Sequence, residues 1–341
     1  MADSPDKPTI DFHSHMLERA ATEAGLPHCV ATGFGARMEK PKPGTAFFRA
    51  QEASYDPAVH VEALDRLGID AEVVSSTSVI QGTAWASPER EYELNRAVND
   101  EIERWVDSYP ERLIGCFNLP LQDPKRSLEE IERLSSNPRF PAVQLPACLN
   151  GVYLGEPEFR YLWEEIDGRG LVVFLHPDGT RDEWFQSFSM WNSVGQPVEE
   201  AKLLASLIYW GVLEDLPDLK IVVAHGGGYL PHYFGRLDRN VTAWPESTRN
   251  ISRRPSEYLR EMYYDTCLYE PAMLEALIAR AGASQIVMGS DFPVGESDPL
   301  GFVARSPSLS APEIEAVQGG TAAALLGYVK LESGGVAPAT A

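Results

Sequence analysis

Short apolar runs alternate with longer segments of helical period along almost the whole chain, and this alternation limits the fold more than any other feature. The runs are TIDFHSH (9–15), AEVVSSTS (71–78), LIGCFNLP (113–120), AVQLPA (142–147), LVVFLHP (171–177), KIVVAH (220–225), MYYDT (262–266) and QIVMGSD (285–291). Helical patterns occupy 57–67, 88–109, 124–135, 157–169, 197–213, 229–243 and 270–282, and a segment near 311–326 supplies an eighth. In the second of these, Leu94, Val98, Ile102, Trp105 and Tyr109 form one stripe at helical spacing. Ser87-Pro88 and Asp123-Pro124 place a capping side chain just before a first-turn proline. Eight strand-helix units predict an α/β fold of the (β/α)8, TIM-like barrel type. An open doubly wound sheet is the alternative, but no GxGxxG follows a strand and no GxxxxGK[ST] occurs. Residues 20–55, rich in Gly and Pro in part, read as an insertion loop after the first strand. Residues 1–331 read as one domain, and 332–341 as a disordered tail.

The 341-residue chain is 44% apolar, ample for a large core, and carries a formal charge of -21. That charge argues against nucleic acid and anionic membrane surfaces as partners, since both require concentrated positive charge. Cys29, Cys116, Cys148 and Cys267 are scattered and form no CxxC pair, which fits a reduced compartment. No run approaches the roughly 20 apolar residues of a membrane span. The opening MADSPDKP lacks the basic and apolar regions of a signal peptide, so the expected location is cytoplasmic.

The strands end in potential metal ligands. His13 and His15, two apart on the first strand, share a face by strand alternation, with Ile10 and Phe12 expected on the other. The same parity puts Asp11 on the histidines' side, within reach of a hydrogen bond to an imidazole. The fifth strand ends in His176, the sixth in His225 and the eighth in Asp291. In a barrel all these ends meet at one mouth. Four of the seven histidines occupy such positions. Imidazole and carboxylate suit a borderline divalent ion such as zinc, with a position left open for water or substrate. His13, His15, His176 and Asp291 are the expected ligands, and His225 the expected general acid-base. His28 and His60 read as structural, and His232 as a structural residue near the rim.

DFHSH, FLHPDG, VAHGGGYLPHYFGRLDR and MGSDFP resemble the amidohydrolase superfamily. The nearest branch is that of aminocarboxymuconate-semialdehyde decarboxylase and related aromatic-acid decarboxylases. The resemblance spans residues 9 to about 330. It implies a TIM-like barrel, one divalent metal (usually zinc, in some members manganese), nonhydrolytic C–C cleavage releasing CO2, and a homodimer. It also implies the ligand set above, with His225 matching the catalytic histidine and Asp291 counted beside it. Arg49 matches a substrate-binding arginine, and Arg236 a second one that can reach the neighbouring subunit's site. Two guanidinium groups imply a small anionic substrate. Phe47, Phe48 and Trp191 are candidate aromatic walls. The fourth strand, AVQLPACLNG, lacks the lysine whose carbamate bridges two metals, so a single ion is expected.

The leading functional reading is a metal-dependent decarboxylase of a small unsaturated or aromatic carboxylate. The same ligands would equally serve a hydrolase acting on a lactone, amide or C–C bond. A non-catalytic metal-dependent sensor would require loss of the acid-base residue, and His225 is present. HGGG also occurs in serine hydrolases, but no GxSxG elbow accompanies it.

Overall fold

A computed structural model describes residues 7–28, 44–77, 83–180 and 182–329. Eight parallel strands form one sheet: β1 (Ile10–Met16), β2 (Ala71–Ser76), β3 (Leu113–Phe117), β4 (Ala142–Leu145), β5 (Val172–Leu175), β6 (Lys220–Val223), β7 (Tyr263–Asp265) and β8 (Ile286–Val287). Each pairs with its sequence neighbour. The first and last are joined by Phe12 N–H to Met288 O (2.8 Å), Asp291 N–H to His13 O (2.9 Å) and His15 N–H to Phe292 O (2.9 Å). The sheet therefore curls into a (β/α)8 barrel. A small hairpin, Cys148–Leu149 with Val152–Tyr153, follows β4.

The helices lie where the periodicity places them. Pro88–Ser108 buries Leu94, Val98, Ile102 and Trp105, and its Ser87 cap accepts from Arg90 N–H. Asp123 caps Pro124–Ser135 through Lys125 N–H and Arg126 N–H. Such caps each contribute about 1 kcal/mol. Alternate residues of each strand feed two cores. Val172, Phe174, Val222 and Val287 fill the lumen, while Val173, Leu175, Ile221 and Val223 pack against the helices. Trp163 is fully buried in the outer core, and its indole N–H donates to Leu154 O at 2.6 Å. Truncating such a residue to Ala costs about 3–5 kcal/mol.

Two expectations change here. The stretch 20–55 is not a loop throughout: Arg19–Gly25 and Ala46–Tyr55 are α-helices, and Leu26–His28 is a 3-10 turn. Glu18 and Thr45 cap the two helices through their side chains. Residues 29–43, the Phe47 side chain and the 332–341 tail lie outside the described part. On β1, a bulge between Asp11 and Ser14 shifts the register against β2. Ile10 and Phe12 consequently face the lumen, on the same side as the histidines that follow. Phe12 and His13 both pack on Phe174, with ring centroids 5.7 and 5.0 Å away.

Candidate active site

His13 and His15 end β1, His176 follows β5 and Asp291 follows β8. The ligand-capable atoms of these four residues all lie within 4.8 Å of one another. His13 Nδ1 lies 2.6 Å from Asp265 Oδ2, and His15 Nδ1 2.9 Å from Ser76 O. A backbone carbonyl only accepts, and a carboxylate holds imidazole N–H in the same way, so each ring carries its proton on Nδ1. Both Nε2 atoms then present bare lone pairs, 3.1 Å apart. Asp291 Oδ1 stands 3.1 Å from one and 3.5 Å from the other. Burial pushes the pKa of His13 down and that of His176 well down, so a charge on either of these rings is disfavoured. Two facing lone pairs and an anion, fixed from behind by hydrogen bonds, fit a divalent cation.

The approach of β1, β7 and β8 depends on Gly289. A Cβ there would sit 2.8 Å from Asp265 Cβ and 2.9 Å from His13 Cβ. Two other functional positions carry left-handed backbone, His225 at φ 50° and Asp291 at φ 60°. That conformation costs a non-glycine residue of order 1 kcal/mol or more and is characteristic of functional sites.

His225 lies in the turn after β6, with its ring 5.2 Å from His13 and 5.3 Å from His176, centroid to centroid. Its Nδ1 lies 2.5 Å from Glu200 Oε1. Burial opposes charge on this ring, but Glu200, Asp291 and Asp265 prevail and raise its pKa to about 9. The next residue ties the two halves together: Gly226 N–H donates to Asp265 Oδ1 at 3.0 Å. Asp265 thus holds both a candidate ligand and the turn that carries His225.

A cleft open to solvent at its mouth leads to these groups. His15, His176, His225 and Asp291 form its floor, and Trp191, Asn192, Gln196 and Gln51 line its sides. Trp191 therefore lies where an aromatic wall was expected. Phe48 and Arg49 do not line the cleft, although Ala50, Gln51 and Ser54 of the same helix do. Arg49 instead donates to Gly44 O at 3.1 Å. Arg236 is exposed on Gly235–Ala243, away from the lining residues. Asp11 does not bond an imidazole. It accepts from the backbone N–H of His13 and Ser290, each at 3.0 Å, and so braces β1 against the residues after β8. His28 stacks on Trp85, His60 pairs with buried Glu72, and His232 is half-buried outside the cleft lining. The sequence reading missed Asp265 and Glu200. The DT ending of MYYDT, at the same strand-end position as the histidines, was the available signal for Asp265.

A family model described as amidohydrolase matches residues 10–328. The chain belongs to the amidohydrolase family. A curated relative, 2-amino-3-carboxymuconate-6-semialdehyde decarboxylase of Dictyostelium discoideum, is 31% identical over 287 residues, covering 82% of this chain and 79% of that protein. Gamma-resorcylate decarboxylase of Rhodococcus jostii is 25% identical over 276 residues, covering 74% and 82%. Among solved structures, 5-carboxyvanillate decarboxylase from Sphingomonas paucimobilis superposes with a TM-score of 0.84 at 23% identity, covering 95% of this chain and all of that one. A dihydroxybenzoic acid decarboxylase from Polaromonas, solved with manganese and 2-nitroresorcinol, gives 0.79 at 21% identity, covering 94% and 97%. These structural likenesses establish the barrel. No helix among the described residues is long and apolar enough to cross a membrane.

Proposed function

We propose that this protein is a metal-dependent, non-oxidative decarboxylase of a small aromatic or unsaturated carboxylate. One observation carries the reading: the Nε2 lone pairs of His13 and His15 face Asp291 beside a histidine, His225, that is braced by its own carboxylate. The decarboxylase relatives support it.

His13, His15, His176 and Asp291 would hold one divalent ion, zinc or manganese. Bound there, the ion would supply Lewis-acid charge for a substrate oxygen. The reaction itself is assigned to the chain's own groups. His225 delivers a proton to the carbon that bears the carboxylate. The C–C bond then breaks, its electron pair stays with the ring or chain, and CO2 departs. One proton is consumed, nothing is oxidised, and no water oxygen enters the product. Trp191 offers a face for a planar substrate, and Gln51, Asn192 and Gln196 offer neutral hydrogen-bonding groups to its substituents.

The proposal extends to a single domain through residue 331 and a cytoplasmic homodimer, in which Arg49, once released from Gly44 O, and Arg236, from its own or the neighbouring subunit, act on the anionic substrate. Cys116 and Cys267 are buried free thiols, and Cys29 lies outside the described residues.

The test is CO2 evolution from a panel of hydroxybenzoates and muconate-type acids by metal-loaded protein in D2O and in 18O-labelled water. A decarboxylase places one deuterium on the vacated carbon and no 18O in the other product. Incorporation of 18O there, with no CO2, would establish hydrolysis instead.

A further inference from the structure

Glu200 is 1% exposed, on the face of helix Gln196–Tyr209 that also buries Leu203, Leu204 and Leu207. A carboxylate in such surroundings costs several kcal/mol unless its lone pairs are satisfied. Here they are satisfied only in part. Oε1 meets His225 Nδ1 at 2.5 Å, while Oε2 has no hydrogen-bond partner among the described residues. A carboxylate retained purely to stabilise the fold would have donors on both oxygens.

The backbone keeps it in place. Gly228, at φ 63°, lies so close that a Cβ there would come 2.4 Å from Pro197 O and 2.7 Å from Glu200 Oε2. The glycine turn after β6 is thus pressed against the first turn of the helix, and the carboxylate is clamped beneath the imidazole. Glu200 is not one of the candidate ligands, and the ring behind the ligand His13 has a separate partner in Asp265.

From this geometry we infer that Glu200 is the positioning residue for His225. The carboxylate keeps one proton on Nδ1 and confines proton exchange with substrate to Nε2. Without it the neutral ring can take either tautomer and can turn, as happens whenever an orienting carboxylate is removed from a catalytic imidazole. The inference rests on the reading of His225 as the substrate's proton donor.

The experiment compares Glu200→Gln, Glu200→Ala and Glu200→Asp with His225→Ala in the metal-loaded protein. Gln and Ala should each lower kcat about 10- to 100-fold, with KM and metal stoichiometry within about twofold of the parent, and Asp should recover part of the loss. In 15N-labelled, zinc-loaded protein, His225 should show a protonated Nδ1 that becomes a tautomer mixture in the Ala variant. Glu200→Gln preserves side-chain shape and decides the matter if the Ala variant does not fold. Wild-type kcat in Glu200→Gln with an unchanged His225 spectrum overturns the inference. So does a loss of kcat that follows loss of metal. If His225→Ala itself retains full activity, the underlying acid-base reading fails; if it is inactive while Glu200→Gln is fully active, only the role of Glu200 fails.

Discussion

His13 Nε2 and His15 Nε2 lie 3.1 Å apart, and neither carries a proton, because Asp265 and the Ser76 carbonyl hold the protons on the far side of each ring. Two acceptors at that distance repel each other, and Asp291 adds a negative charge to the same point. The arrangement becomes favourable once a cation sits among them. The cost of holding it open is spread over the strand ends, through the bulge in β1, Gly289 and the left-handed backbone at Asp291.

Asp265 should matter to metal affinity although it is not a candidate ligand. In Asp265→Asn the amide can turn its NH2 toward His13 Nδ1 and move the ring's proton to Nε2. Removing such a partner lowers metal affinity or activity about 10- to 100-fold. Competition against a chromophoric chelator reads this directly.

The protonation of His225 gives a pH dependence of defined sign. Burial disfavours the charged ring, but Glu200 and the neighbouring carboxylates outweigh burial and put its pKa at about 9. A histidine raised above its ordinary value of about 6.5 stays protonated through neutrality, so turnover that draws on its proton declines as pH rises through about 9. The raised histidine contributes stability that is complete below about 6.5 and is lost over the same rise. Burial lifts the Glu200 carboxyl to about 7, so the charged pair itself exists between about pH 7 and 9. A kcat profile from pH 6 to 10, with melting temperatures at each point, should show both.

Gly289→Ala should separate the groups it lets meet. The added methyl would press on Asp265 Cβ and His13 Cβ, where strand backbone rather than a flexible side chain must yield. Overpacking of this kind costs about 1–3 kcal/mol. Urea unfolding of chelator-treated protein should show that loss, and metal bound per chain should fall with it.

Much of this molecule is legible in its sequence, for definite reasons. The barrel can be read because the strands are short apolar runs separated by helical patterns, and Ser87 and Asp123 cap as their spacing predicts. The candidate ligand cluster can be read because His13, His15, His176 and Asp291 all stand where apolar runs stop. Glu200 was hidden: it sits next to Glu199 in a helix, where a carboxylate ordinarily faces water. Both are buried, one paired with His225 and the other with Tyr153 and Lys202. Asp11 was misassigned because alternation along β1 is broken by a bulge that no residue type announces. The helix Ala46–Tyr55 was passed over because the Gly-Pro-rich residues before it dominate the composition of the region.

The central claim is that His13, His15, His176 and Asp291 form one metal site, and calorimetric titration of chelator-stripped protein with zinc or manganese tests it most directly. The account predicts one ion per chain in the parent protein, and binding weakened at least tenfold in His15→Ala and in Asp291→Ala. No saturable binding to the parent, or equal affinity in both variants, would contradict it.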